Sequence, residues 1–433
     1  MVAQTQRTMA SSGYKQAEIG IIPEDWQFLK IQSLLDQNFI RDHLDGNHGD
    51  LYPRSNEFKD NGIPYIGAND FLNGEVDFAG CKFLSEQRAK QFKKGVACDG
   101  DVLFAHNATV GPVALLKTDL EFVILSTTAT YFRCNNEKLN NKFLQYSLQT
   151  NYFVKQYRAV MSQSTRFQVP ITTQRKFSLL LPPLPEQRII AMALSDVGDL
   201  ITSLDKIITK KKNIKQGAMQ DLLSGKRRLQ GFSGKWELKE FRDVISEFSA
   251  GATPYRGKPE YYHGQIRWIT SGELNYNYIT DTKEKISENG RKKANLKLHP
   301  KGTFLMAITG LEAETTRGRC GIIGEPSTTN QSCMALYPKD NLSLEFLFHY
   351  YRLKGNELAF KYCQGTKQQS YTARIVKILP IRIPPTKEEQ IAIAQILSDI
   401  DSEIRKLEKR RDKYIMIKNG MMQKLLTGEI RLK

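Results

Sequence analysis

The sequence predicts an α+β fold made twice over: two globular halves with mostly antiparallel, curved sheets, separated by two long helices that form an antiparallel coiled coil. Three observations predict it. The chain carries an internal duplication, each copy ends in a proline-bounded segment with heptad spacing, and each globular half holds short β-rich runs punctuated by Gly, Asn and Asp.

The duplication is read first. Glu186-Gln187 recurs as Glu389-Gln390, Leu194-Ser195-Asp196 as Leu397-Ser398-Asp399, and Met219-Gln220 as Met422-Gln423. Leu222-Leu223-Ser224-Gly225 recurs as Leu425-Leu426-Thr427-Gly428, and Arg228-Leu229 as Arg431-Leu432. All share one offset, 203, which is 389 less 186, and roughly half of the positions between Glu186 and Leu229 match their partners. The rest of the unit repeats more faintly. Trp26 with Leu34-Leu35 answers Trp236 with Val244-Ile245, Ile63–Ile66 answers Ile266–Ile269, and Gly100–Ala105 answers Gly302–Ala307. A kept framework with divergent loops suits two copies that share a scaffold and read different things.

Each duplicated segment predicts a helix. Pro182-Pro183 with Pro185, and Pro384-Pro385, end the preceding structure and set a helix start, and Glu186 and Glu388-Glu389 favour a helix N-terminus. Gly225 and Gly428 mark the far ends. The first seam runs Leu194, Val197, Ile201, Leu204, Ile208, then Lys211, Lys215, Ala218, Leu222. The second runs Leu397, Ile400, Ile404, Leu407, then Arg411, Tyr414, Lys418, Met421, Leu425. The alternating steps of three and four are those of a coiled coil. Antiparallel pairing lays each apolar half against the other's basic half, with lysine stems expected to snorkel outward.

The strands follow. Ile63–Ile66, Val102–Ala105, Val113–Leu116, Phe122–Leu125, Ile266–Thr270 and Thr303–Ile308 read as strands, and Lys142–Gln149 and Leu344–Leu353 as helices. The expected organisation is a disordered tail over 1–13, globular halves over 14–181 and 230–383, and helices over 182–229 and 384–433.

Charge narrows the function. Lys plus Arg is 63 against 46 Asp plus Glu, a formal +17, which points to a polyanionic partner and first to nucleic acid. No apolar run approaches a membrane span, Met1–Gln16 has no secretory h-region, and the six scattered cysteines predict reduced thiols in a cytoplasmic protein. No catalytic motif emerges. Gly231–Lys235 lacks P-loop spacing, and no glycine-rich turn follows a strand as a methyl-donor cofactor requires. His43 and His48 could pair on a metal, yet a Gly/Asp-rich loop favours DNA-facing histidines, so no metal site is expected.

Three loop regions per half carry donors that base edges and phosphates accept. In the first half they supply Arg41, His43, Asn47, His48, Tyr52 and Arg54, then Asn107 and Thr109, then Gln163, Thr165 and Arg166. In the second they supply Thr253, Tyr255, Arg256 and Lys258, then Arg317 and Arg319, then Lys367, Gln368, Gln369 and Arg374.

Over roughly residues 14–433 the chain resembles the specificity subunit of type I restriction-modification systems. The resemblance rests on Leu181-Pro-Pro-Leu-Pro-Glu-Gln187 leading to Leu194-Ser-Asp196, on Ile383-Pro-Pro-Thr-Lys-Glu-Glu-Gln390 leading to Leu397-Ser-Asp399, and on the closing Leu222–Gly225 and Leu425–Gly428. It implies two target recognition domains on a helical spacer, reading a split, asymmetric double-stranded DNA site. It also implies two modification subunits that carry S-adenosylmethionine and methylate adenine, joined by restriction subunits that use ATP and magnesium, with no cofactor in this chain. Two readings compete. One is a self-contained DNA methyltransferase or nuclease with an unrecognised centre; the other is a coiled-coil protein scaffold.

Overall fold

Four helices organise the protein in the computed structural model, which describes residues 13–46, 51–162, 167–365 and 369–432. They are α1 (Asn141–Ser147), α2 (Leu184–Leu222), α3 (Leu344–Tyr362) and α4 (Lys387–Leu425). The chain packs as two units: residues 1–203 with 410–433, and residues 204–409. Each unit therefore owns half of each long helix, and this partition differs from boundaries drawn at 181, 229 and 383.

In the first unit the main sheet contains β1 (Ile40–Asp45), β2 (Val102–Asn107), β3 (Thr109–Leu115) and β4 (Ala129–Cys134) in the order β1-β4-β2-β3. These pairings are antiparallel, and two short strands extend the sheet beyond β3 through one parallel step. A second sheet is built on Ile63–Ile66 and Val123–Leu125. Alternation along the main sheet sends Phe104 and Phe132 into a core with Trp26, Phe143 and Phe153. Ile190, Ala191 and Leu194 of α2, Leu425 of α4 and Leu426 just beyond it close that core.

The second unit repeats the plan with β5 (Ile245–Ala250), β6 (Asn277–Ile279), β7 (Phe304–Ala307), β8 (Cys320–Ile323) and β9 (Cys333–Pro338), ordered β5-β9-β7-β8-β6. Only the outer β8–β6 step is parallel. Leu222 of α2, Leu223 just beyond it, and Ile393, Ala394 and Leu397 of α4 complete its core with Trp236, Phe304 and Phe346.

The duplicated motif explains itself in these cores. Glu186 is buried and takes both nitrogens of the Arg431 fork, at 2.6 and 2.7 Å, with Trp26 Nε1 donating to it at 3.0 Å. In the other unit Glu389 takes Arg228 at 2.7 and 2.7 Å. The acid of one repeat thus meets the arginine of the other. Gln187 accepts from the Asn140 amide at 2.9 Å ahead of α1, and Gln390 accepts from the Ser343 amide at 2.8 Å ahead of α3. Ser195 meets Tyr146 of α1 at 3.4 Å, and Ser398 meets His349 of α3 at 3.0 Å. Gly428 and Gly225, at φ +74° and +73°, lie against Trp26 and Trp236, where a Cβ would come within 3.5 and 3.1 Å of the ring.

Each unit contains an antiparallel crossing of the long helices. In the first, the end of α4 meets the start of α2, as Arg431 on Glu186 and Lys418 beside Gly198 show. In the second, Lys211 pairs with Glu403 at 2.5 Å and Arg228 with Glu389, so numbering runs in opposite directions. Every expected seam position is buried or half-buried: Leu194, Leu204, Ile208, Leu222, Leu397, Ile404 and Leu425 are buried, and Val197, Ile201, Ile400, Leu407, Tyr414 and Met421 half-buried.

The lysines correct one expectation. Lys215 does not snorkel outward; its side chain is 6% exposed, and its ammonium lies 2.6 Å from both Asp401 oxygens. Arg352 of α3 shares that carboxylate at 3.0 Å. Burial, and behind it the Arg352 charge, lower the Lys215 pKa to about 8 from an ordinary 10.5. Between those values the unfolded chain binds one more proton than the folded one, so this group adds stability as pH rises through the window. The urea stability of wild type, referenced to Lys215→Met, is expected to climb from pH 8 towards pH 10.5. A flat difference would show that Asp401 fully offsets the burial.

All six cysteines are free thiols, four of them buried. Among the described residues no helix is long and apolar enough to cross a membrane.

Candidate nucleic-acid interface

At one end of each main sheet, loops from distant parts of the chain are stitched together by backbone hydrogen bonds. In the second unit the Ala252 amide donates to Thr329 O at 3.2 Å, Ile308 to Ser332 O at 2.9 Å, Leu311 to Gln369 O at 3.0 Å and Tyr371 to Ile308 O at 2.8 Å. In the first unit the His106 amide donates to Thr128 O at 3.0 Å, Ala108 to Phe167 O at 3.1 Å and Val169 to His106 O at 2.8 Å. Each cluster joins the first loop (45–46 or 251–253), the sheet hairpin (106–109 or 308–311), the late loop (167–169 or 369–371) and a segment that sequence reasoning missed. That segment is 126–128 or 329–332, and the offset of 203 between Ser126 and Thr329 was the available signal.

Glycine is what lets the first loop cross this segment. A Cβ on Gly46 would lie 2.3 Å from Ser126 backbone atoms, and one on Gly251 would lie 2.2 Å from the Thr329 and Asn330 carbonyl oxygens. Ala108 turns the first-unit hairpin at φ +62°, a conformation non-glycine residues rarely hold.

The expected contact residues sort by what their side chains already touch. Thr109, Tyr255, Lys258 and Arg374 are exposed on or beside the clusters, and Asn107 is half-buried there, bridged to Gln168. Thr253 bonds Gln331 across the crossing. Tyr52 and Arg54 are exposed on a separate segment, where Arg88 holds the Leu51 carbonyl at 3.1 Å and Glu57 at 2.6 Å. Asn47, His48, Gln163, Thr165, Arg166, Lys367 and Gln368 lie outside the described residues.

Five expectations are corrected. His43 is on β1, not a loop; it is fully buried, stacked on Phe132 at 4.1 Å and bonded to Gln174 at 3.2 Å. Burial holds its pKa down at about 3, so it is a neutral core group with no atom for DNA. Arg41 sits at the opposite end of β1 from the cluster, donating to Asn135 at 3.2 Å. Arg317 folds back onto its own loop, donating to Leu311 O at 2.7 Å and Glu312 O at 2.5 Å above the Phe360 ring. Arg319 lies half-buried over Tyr276, and the Gln369 side chain is engaged by Cys363 at 3.4 Å.

Arg256 is a special case. Its fork binds Glu284 at 2.9 and 2.9 Å while the guanidinium stacks over Tyr262 at 4.3 Å and Trp268 at 5.1 Å. The group is positioned yet more than half exposed. Arg256→Ala is expected to weaken binding at one half-site by about 1–3 kcal/mol if a base contact is lost. Glu284→Gln frees the fork from its counter-ion and should tighten binding to all duplexes alike. Competition titrations with mutated half-sites separate the two; an Arg256→Ala loss uniform over sequences would make Arg256 a phosphate contact.

The second-unit end gathers exposed aromatic and cationic side chains, Tyr255, Arg256, Lys258 and Arg374, and the first-unit end presents Asn107 and Thr109, groups that can bind and discriminate a polyanion. The described residues hold no cluster of His, Cys, Asp and Glu suited to a metal.

Comparison with known proteins agrees with this geometry. The family described as "Type I restriction modification DNA specificity domain" matches twice, at residues 23–216 and 233–415. A Methanocaldococcus jannaschii protein named as the MjaX specificity subunit of a type I restriction enzyme is 25% identical over 446 residues, spanning 97% of each chain. The MjaIX specificity subunit of the same organism is 32% identical over 182 residues, 41% of this chain and 40% of that one. The crystal structure of the S subunit of a type I restriction-modification system from M. genitalium shares the fold, with a TM-score of 0.58 at 13% identity over 92% of this chain and 96% of that one. Two family matches, one on each repeat, together with the duplicated framework, establish that the chain belongs to the type I restriction-modification DNA specificity family.

Proposed function

We propose that this chain supplies address and geometry to a cytoplasmic restriction-modification complex and performs no chemistry itself. The target recognition domains, 14–181 and 230–383, each read one half of a split asymmetric site, and 182–229 and 384–433 act as spacer. The observation that carries this reading is the matched loop cluster in both units, one scaffold presenting Asn107 and Thr109 in one case and Tyr255, Arg256, Lys258 and Arg374 in the other.

Two modification subunits dock on the long helices and adjacent surfaces, a role supported by exposed apolar side chains there: Met192, Ile207, Ile214, Ile391 and Met416. S-adenosylmethionine belongs to those subunits, and ATP with magnesium to the restriction subunits.

Sequencing of methylated sites in a host carrying the complete system tests the reading. Thr109→Ala is expected to relax only one half of the methylated motif and Arg374→Ala only the other. Relaxation of both halves by either change would overturn the division of labour. The purified chain alone, with labelled methyl donor and duplex DNA, should give no turnover, while its DNA affinity should fall steeply with salt. Turnover by the isolated chain would support the self-contained enzyme instead.

A further inference from the structure

The contacts that close each unit are common to both repeats, and this raises a question of partner choice. Arg431 on Glu186 is matched by Arg228 on Glu389, and Gly428 on Trp26 by Gly225 on Trp236. None of these can tell α4 from a second copy of α2. In an antiparallel pair of two α2 helices from two chains, Arg228 of one chain could take Glu186 of the other, as Arg431 does. Discrimination must come from seam positions where the repeats differ.

Those positions carry charge. In the second unit Lys211 faces Glu403 at 2.5 Å and Lys215 faces Asp401 at 2.6 Å. The residues of α2 that correspond to Asp401 and Glu403 are Gly198 and Leu200, and those of α4 that correspond to Lys211 and Lys215 are Tyr414 and Lys418. In the first unit, accordingly, Lys418 reaches over Gly198, where a Cβ would meet its ammonium at 3.0 Å, and rests over the Tyr146 ring at 5.3 Å. The third pair, Lys212 with Glu408 at 2.8 Å, does not discriminate, because α2 carries Asp205 at the matching place.

We infer that Asp401 and Glu403 make α2 pair with α4 of its own chain and reject a second copy of α2. A two-chain α2 pair would bury Lys215 against glycine and set Lys211 against leucine at both crossings. Lys215 would exchange the Asp401 carboxylate at 2.6 Å for the charge of Asp199, which acts on Lys418 at the same place. Taking the bonded carboxylate from a buried ammonium is costly, and such a cost is a general route to specificity. Arg352, sharing the Asp401 carboxylate at 3.0 Å, ties the same choice to α3. The device matters during synthesis, when α2 of one chain is complete before its α4 exists, and α2 of a neighbouring chain is the available competitor. It does not depend on what the loops read.

The full-length chain provides the test. Gly198→Asp with Leu200→Glu gives α2 the acids of α4 and makes it self-complementary; Gly198→Asn with Leu200→Gln is the neutral control. Two differently tagged copies are unfolded together and refolded across a concentration series. The chain's own α4 competes at an effective concentration of the order of mM, so the series runs from μM to near mM. Light scattering gives the mass, and capture of one tag by the other reports pairing between chains. The acid-bearing chain is expected to form at least about tenfold more mixed-tag dimer than the neutral control, with wild type monomeric. In a second variant, Asp401→Asn with Glu403→Gln, the same dimers should rise because the preference for α4 is removed. Equal dimer yields in the acid-bearing and control chains would overturn the inference. So would a second variant as monomeric as wild type, which keeps the question decidable if the first variant folds poorly.

Discussion

Replacing Glu186 with alanine is expected to cost the first unit about 3–5 kcal/mol, the range for removing one partner of a buried ion pair. Its carboxylate holds Trp26 Nε1 at 3.0 Å and both nitrogens of the Arg431 fork, all in a region where Trp26 is fully buried. The alanine leaves the indole N–H without an acceptor, about 1–3 kcal/mol by itself. Arg431 keeps Asp25, at 2.9 and 2.8 Å, so its charge stays compensated and the expected cost lies at the lower end of the range of about 3–5 kcal/mol. Glu186→Gln retains an acceptor for Trp26 and gives up the charge, and should cost about half as much. Denaturant titration with hydrogen exchange should localise the loss to residues 1–203 and 410–433. A loss below about 1 kcal/mol would place the exchange with Arg431 among ordinary surface ion pairs.

Gly251→Ala is expected to disable the second recognition cluster while leaving the fold intact. The new Cβ would lie 2.2 Å from two carbonyl oxygens, both backbone, so no side chain can turn aside and the first loop must lift off the 329–332 segment. Tyr255, Arg256 and Lys258 follow that loop, and losing one or two base contacts at about 1–3 kcal/mol each means at least about fivefold weaker discrimination at one half-site. Gly46→Ala should do the same at the other half-site, since its Cβ would meet Ser126 backbone atoms at 2.3 Å. Unaltered discrimination in both variants would mean that the crossing is no part of the reading surface.

How far the sequence was legible follows from which physics had a period. The steps of three and four placed the seam of both helices, and the β-rich runs fell on strands such as Ile63–Ile66 and Phe304–Ala307. Partner choice had no such signature. That Glu186 would meet Arg431, and Glu389 would meet Arg228, follows from antiparallel closure, which identical motifs leave open. The lysines were misread because stem length permits snorkelling, whereas Asp401 and Arg352 arrive from distant segments. In the candidate site, residue type alone could not separate Arg374, exposed, from Arg317, spent on its own loop, or His43, buried by strand alternation.

The exchange of closing motifs has a genetic consequence. Because α4 from residue 410 onward belongs to the first unit, a stop codon near that point would strike the domain translated first and spare the one translated second. Messages truncated progressively from the 3′ end should therefore lose the amino-terminal reading head before the carboxy-terminal one. Ribosome position does not track structural completion here: the first unit is finished last.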